Sequence, residues 1–330
     1  MTLAGEGPSI RASAHPARGG GLLARIVSGV VMAALLLTLL LVGGPPLDIV
    51  LGLAAAVGMW EVAGLAERCG APPTPWVLYP LGEFLVFRFL YPGDFPAVEW
   101  GLGAAVVAGL LGGIVRRPQT DADAAGVERA DETVESSDAA VAAPPAPRAV
   151  GAVPGQVPNL FVRWAAAIGG ALYVGLCLGY YLALLRWHAG ADADRFGLRV
   201  VLVVLAAAML GDTAALFTGR ALGRHPFFPR ISPRKTVEGA LGGAVVGIAV
   251  VAVGMPVWVG LPIWQAVLLG GAVAVAAQGG DLAESALKRA AGAKDSSGLI
   301  PGHGGLLDRL DSLLLLGPVV YSFLRLVALP

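Results

Sequence analysis

Ionisable and hydrogen-bonding residues crowd between Asp281 and Asp311, a stretch wedged between two long apolar runs. Asp281, Ser285 and Lys288 recur at i, i+4 and i+7, so one helix face carries a carboxylate, a hydroxyl and an ammonium, with Glu284 beside it. Such a face can hold a hard cation and the phosphate oxygens it bridges. The plainer alternative is a helix end with an interfacial ion pair and a snorkelling lysine. Asp308 and Asp311, at i and i+3, share a second face. Mg²⁺ takes one or two carboxylates together with waters and substrate phosphates, and Asp281 and Asp308 are the expected ligand pair. Arg309 can grip a phosphate or carboxylate through two N–H groups. Between the two faces, Lys294-Asp295 and Ser296-Ser297-Gly298 read as turn residues. Pro301-Gly302-His303-Gly304-Gly305 then permits positive φ and close backbone approach. Its N–H groups, with the start of the next helix, can cradle an anion. A lone histidine is more often a structural hydrogen bonder than a catalyst. Ionisable groups cost roughly 2.5–3.5 kcal/mol each at the centre of a membrane helix, and metal-dependent phosphate chemistry is the reading that offsets it.

A second polar segment lies upstream. Gly211-Asp212-Thr213 falls inside an apolar run, and Ser232-Pro233-Arg234-Lys235-Thr236-Val237-Glu238-Gly239 opens the next one. Arg220, Arg224, Arg230, Arg234 and Lys235 form a basic strip suited to a triphosphate or an anionic lipid headgroup. Ordinary cytoplasmic charge bias explains most of those arginines, but not Asp212. Thr236 is equally suited to capping the helix after it.

Membrane-spanning helices must position these groups. Apolar residues make up 56% of the 330 residues and charged residues 14%, where a soluble domain carries about a quarter. Roughly nine runs reach the about 20 residues a crossing needs: 22–42, 45–66, 75–92, 97–115, 162–186, 198–218, 238–258, 262–280 and 305–328. The third is short and holds Glu83 and Arg88; Glu61 is a further acid within a run. The fold class expected is all-α, a polytopic membrane protein of about nine helices and not an outer-membrane barrel. The first run is too long for a signal peptide and is expected to be a retained span. With a cytoplasmic N-terminus, 18 of the 23 Lys and Arg fall in or beside the cytoplasmic segments, leaving Arg88, Arg186, Arg195, Arg199 and Arg325 outside. That orientation puts the 219–237 and 281–304 loops on one cytoplasmic face.

The remaining segments carry less chemistry. Residues 1–21 read as a flexible cytoplasmic N-terminus, 22–117 as N-terminal helices, 118–161 as a disordered acidic Ala/Pro-rich insert and 162–330 as the catalytic region. Two cysteines, Cys69 and Cys177, give no disulfide framework. The formal net charge is zero, and no nucleic-acid partner is expected.

The stretch from Ser285 to Asp311 resembles the signature of the CDP-diacylglycerol synthases, or phosphatidate cytidylyltransferases. The resemblance runs through Ser285, Leu287, Lys288, Arg289, Lys294, Asp295, Ser297, Ile300, Pro301, His303, Gly304, Gly305, Leu306, Asp308, Arg309, Leu310 and Asp311. Gly280-Asp281-Leu282-x-Glu284-Ser285 and Ser232-Pro233-x-Lys235-Thr236-x-Glu238-Gly239 match as well. It is specific over roughly 205–325; the N-terminal half matches only in being apolar. It implies that CTP and phosphatidate give CDP-diacylglycerol and pyrophosphate at a cytoplasm-facing site in the inner membrane, in an enzyme that is a homodimer. It implies Mg²⁺ at the aspartates matching Asp281 and Asp308, with a monovalent cation such as K⁺ as a candidate second ion. Lys288, Lys294 and Arg309 would then meet charge on the leaving pyrophosphate, and His303 with its glycines would shape a phosphate turn. Ser232, Lys235 and Thr236 would complete the pocket, with Asp212, Glu238, Ser285, Arg289, Asp295, Gly304, Gly305 and Asp311 also lining the substrates. Two rivals stand beside this reading. A CTP-dependent polyprenol or lipid-alcohol kinase would release CDP. An ion-coupled transporter would place its acids near the midplane on broken helices of two related halves, and no such halves are evident.

Overall fold

The structure is a computed structural model and describes residues 22–90, 160–187, 193–300 and 304–328. Nine helices carry the described chain: α1 (Leu22–Val42), α2 (Gly44–Arg68), α3 (Pro75–Phe87), α4 (Leu160–Leu185), α5 (Ala193–Leu222), α6 (Val237–Val259), α7 (Ile263–Ala290), α8 (Leu307–Leu314) and α9 (Leu316–Phe323). Among the described residues there is no β-sheet, only two isolated bridges, Pro226 with Thr236 and Ile300 with Gly304. The all-α expectation holds.

Five of these helices are long and apolar enough to cross a membrane: α2, α4, Arg195–Leu222 of α5, α6 and α7. The nine expected spans are not all of that kind. In α1 the strongly apolar part is Val31–Val42. α3 has 13 residues, so it reaches about 20 Å of a roughly 30 Å apolar layer. The 305–328 run is divided at Leu315. Pro318 has no N–H to give to the carbonyl of Leu314, four residues back, which accounts for the break. The 97–115 run, residues 1–21 and the 118–159 part of the insert lie outside the described residues.

Both halves of the chain contribute to one core. Met59 of α2, Leu78 of α3, Val174 of α4, Leu307 of α8 and Leu316 of α9 are all fully or nearly fully buried in it. α4 takes a π-helical turn over Ala171–Leu176 where it packs on α3. Leu241, Val245, Val253 and Val257 of α6 stay exposed, as suits a helix face turned to lipid.

The α5–α6 pair is held by a ladder of small residues. Gly239, Gly243 and Gly247 of α6, spaced four apart, meet Ala215, Gly211 and Ala207 of α5. A Cβ placed on Gly239 would lie 2.8 Å from the carbonyl oxygen of Ala215, and one on Gly243 would lie 2.8 Å from that of Gly211. Only glycine allows that approach, and in a bilayer van der Waals packing of this kind drives helix association. The ladder sets Gly211, the residue before Asp212, against Gly243 of α6.

Candidate active site

The site forms where α5, α6, α7 and α8 meet at one end of the bundle. Asp281 lies about two and a half turns before the end of α7. Its carboxylate pairs with the ammonium of Lys235, from the loop before α6, and accepts a hydrogen bond from Ser285 Oγ at 3.3 Å. Arg289 Nε donates to the carbonyl of Ile231 at 3.3 Å, a second tie between that loop and α7. These contacts bring the 223–236 segment to the C-terminal end of α7.

Gly280 explains why α8 reaches this place. A Cβ there would sit 2.3 Å from the backbone oxygen of Asp311, so the two backbones touch. Asp311 and Asp212 are within electrostatic reach of Asp281 and of each other. Ser312 joins them: its N–H donates to Asp311 Oδ1 at 2.6 Å and its hydroxyl lies 3.4 Å from both Asp212 Oδ2 and Asp311 Oδ1. Three carboxylates thus gather, with Lys235 paired to Asp281 and in reach of Asp212, and Lys288 in reach of Asp311.

Asp308 is occupied differently. Its Oδ2 accepts from the N–H of Ser296 (2.9 Å), the hydroxyl of Ser296 (2.8 Å) and the N–H of Gly305 (2.8 Å). Its Oδ1 accepts from Lys288 Nζ at 2.6 Å. Lys288 in turn lies 2.5 Å from Glu284, whose side chain is fully buried. Lys288 is therefore held between two carboxylates and only 14% exposed, which makes it a link between α7 and α8. Its expected role on a leaving pyrophosphate finds no support in this arrangement.

The glycine turn is also occupied. Gly304 takes φ +80°, a left-handed conformation suited to glycine, and Gly305 is buried. The N–H of Gly305 goes to Asp308, and those of Leu306 and Leu307 go to Glu61 of α2, at 2.9 and 2.6 Å. The sequence offered these donors to a phosphate, whereas the fold gives them to its own carboxylates. His303 lies outside the described residues. Lys294 and Asp295 are exposed on the preceding loop, and Arg309 is exposed in the first turn of α8.

In the upstream segment, Thr236 caps α6: its hydroxyl accepts from Gly239 N–H at 3.2 Å. Thr236→Ala should cost about 1 kcal/mol, read as a lower unfolding temperature in detergent. Glu238 accepts from the N–H groups of Arg224 and His225, and His225 Nδ1 lies 2.6 Å from it. It therefore folds the loop back on α6. Ser232 holds a turn, donating its N–H to Phe228 O at 3.0 Å and accepting from Lys235 N–H at 3.2 Å.

Four residues escaped the sequence reading: Glu61, Glu284 as a paired buried acid, Ser296 and Ser312. Glu61 had a signal, since an acid inside an apolar run needs a partner. Its partners, 236 to 246 positions away, had none.

Among the described residues no group of three or more His, Cys, Asp or Glu side chains converges tightly enough to hold a metal unaided. A Mg²⁺ site completed by water and phosphate needs fewer carboxylates. The excess of carboxylate oxygens around Asp281 is a hard-donor set of that kind, so the residues fit such an ion.

A model of the cytidylyltransferase family matches residues 23–327. Among curated proteins, the chain is similar to the phosphatidate cytidylyltransferase of Bacillus subtilis, 37% identical over 157 residues, which covers 47% of this chain and 56% of that protein. It is 41% identical over 167 residues to the Brucella suis protein of the same name, with 51% and 59% covered. It is 36% identical over 178 residues to that of Thermotoga maritima, with 52% and 63% covered. The matched part spans little more than half the length of these relatives. The family match runs nearly from end to end of the described helices, and this chain belongs to the cytidylyltransferase family.

Proposed function

We propose that this chain condenses CTP with phosphatidate, giving CDP-diacylglycerol and pyrophosphate. The observation that carries the reading is the contact of α7 with α8 at Gly280, which brings Asp311 to Asp281, the carboxylate that pairs with Lys235 and lies within electrostatic reach of Asp212. The names of the similar proteins support the choice of nucleotide and lipid.

In the reaction, an oxygen of the phosphatidate headgroup bonds to the α-phosphorus of CTP in line, and the bond from that phosphorus to the pyrophosphate oxygen breaks. The nucleophile is already an anion, so no strong base is needed and catalysis is positioning plus charge neutralisation. Magnesium, when bound, would neutralise phosphate oxygens and bring two polyanions together. Asp281 would hold it. Asp308 is the second ligand by resemblance, while Asp311 and Asp212 are the carboxylates the fold sets beside Asp281. Lys235 keeps Asp281 in place and supplies positive charge at the pocket. Lys294, exposed on the loop, and Arg309, exposed in the first turn of α8, supply charge towards the leaving pyrophosphate. Lys288 and Asp308 position the loop and helix from which those cations extend. A second cation such as K⁺ would add to the same neutralisation.

The proposed setting is an inner-membrane protein of about nine spans with a cytoplasmic N-terminus and a cytoplasm-facing site. Its support is the apolar helices, the arginine and lysine asymmetry, and the meeting of the 223–236 segment with the C-terminal end of α7. Division into a helical N-terminal half, an insert and a catalytic half belongs to the same proposal, as does the homodimer implied by resemblance.

The assay uses membranes containing the full chain with labelled CTP, phosphatidate and Mg²⁺. The expected result is CDP-diacylglycerol and pyrophosphate in equal amounts, no product without phosphatidate, and loss of product on chelation with recovery when Mg²⁺ is restored. Release of CDP with a phosphorylated lipid alcohol would establish the kinase reading. Absence of any nucleotide turnover would return the transporter reading to consideration.

A further inference from the structure

The N-terminal half of the chain supplies one buried acid to the C-terminal site. Glu61, on α2, is 2% exposed. Its Oε1 accepts from Ser297 Oγ at 2.6 Å and from Leu306 N–H at 2.9 Å, and its Oε2 accepts from Leu307 N–H at 2.6 Å. A single carboxylate thus takes two N–H groups at the start of α8, which have no partner within that helix. It also takes a hydroxyl from the loop that leads there.

Asp308 does the complementary work from inside α8, taking Ser296 and Gly305. Neighbouring residues of the same loop, 296 and 297, are therefore tied to two different carboxylates. So are the neighbouring residues 305 and 306. The fit around Gly305 is tight. A Cβ there would lie 2.2 Å from Glu61 Oε1 and 2.1 Å from Ser296 Oγ. Buried donors and acceptors of this kind are costly to leave unpaired, so removing Glu61 frees the loop to seek other partners.

We propose that Glu61 is a positioning residue for the reaction proposed above, seating Ser297, Leu306 and the start of α8 so that Asp311 stays beside Asp281. The inference rests on that functional reading for its kinetic consequence and on geometry alone for the seating. It has a chemical corollary. With its N–H groups committed to Glu61 and Asp308, the start of α8 leaves phosphate charge to be met by side chains.

The test compares Glu61→Gln and Ser297→Ala with the parent, all in the full chain. Glutamine keeps the volume and the Oε1 acceptor but turns an amide N–H towards the N–H of Leu307. Ser297→Ala removes one donor and leaves both N–H groups of α8 in place, so it keeps the test decisive if Glu61→Gln fails to fold. Loop seating is read without activity by deuterium labelling of the amides of Gly305, Leu306 and Leu307, whose N–H groups are bonded to Asp308 and Glu61 in the parent.

Glu61→Gln should lower kcat at least about tenfold with KM for CTP within about threefold, since small displacements of positioned groups act mainly on turnover. The labelling rate of these amides should rise about tenfold as the loop opens locally. Ser297→Ala should show the same pattern at roughly threefold in each. Unchanged turnover, a loss confined to KM, or a fall in kcat with unchanged labelling would each overturn the proposal. If the parent itself makes no CDP-diacylglycerol, the functional reading fails, and the labelling comparison alone decides whether Glu61 seats the loop.

Discussion

Asp281→Asn is expected to lower CDP-diacylglycerol synthesis by about a thousandfold while the protein still inserts and elutes as the parent does. The substitution preserves shape and removes one negative charge. It breaks the pairing with Lys235, which then turns to Asp212, an acid already within its electrostatic reach. The fold keeps its core, because Asp281 is only partly buried and no hydrophobic contact changes. Asp308→Asn should behave differently. An amide in place of that carboxylate puts N–H groups against Ser296 N–H, Gly305 N–H or Lys288, all of them donors. Breaking a buried charged network of this kind costs about 3 kcal/mol, so stability and turnover should fall together. The measurements are initial rates with saturating substrates and unfolding temperatures in detergent. Near-normal rates in both variants would sink the assignment of a metal to these aspartates.

Adjacent glycines make the second large prediction. Gly280→Val should cost about 1–3 kcal/mol by overpacking and reduce turnover at least about a hundredfold by displacement. The cause is direct: even a Cβ would meet the backbone of Asp311 at 2.3 Å, and neither α7 nor α8 can yield without separating Asp281 from Asp311. Gly279→Ala is the matched control. No atom lies within 4 Å of a Cβ there, and alanine is the better helix former, so rate and unfolding temperature should match the parent or rise slightly. Equal effects at both positions would show that helix propensity, and not the approach of α8, sets the outcome.

Much of this architecture was legible in the chain, for reasons that differ by residue. The long helices follow from apolar runs, because a bilayer leaves the backbone few other ways to satisfy its hydrogen bonds. Asp212, Asp281 and Asp311 stood out because acids in or beside such runs are costly. Their mutual approach was not legible, since it depends on Gly280 touching α8 and on the α5–α6 ladder. The partners of Lys288 were hidden for a related reason: helical spacing shows which residues share its face, not which carboxylate from α8 arrives there. The glycine turn misled through the same blindness. Its free N–H groups were evident, and the acid from α2 that takes them was hidden behind more than two hundred residues. Hydropathy also counted 305–328 as one span, because its average is insensitive to a single proline.

The ladder between α5 and α6 has a bearing on insertions and deletions. Contact there is made by backbone against backbone, so no side chain can re-pack to absorb an error of phase. An insertion of one residue in the 223–236 connection leaves both faces of the seam where they are. The same insertion between Ala207 and Asp212 rotates the remainder of α5 by about 100°. A glycine would then leave the seam, and Asp212 would turn away from Lys235. Chain length is thus tolerant in the loop and rigid a few residues earlier, and the boundary between the two regimes is set by residues that carry no functional group at all.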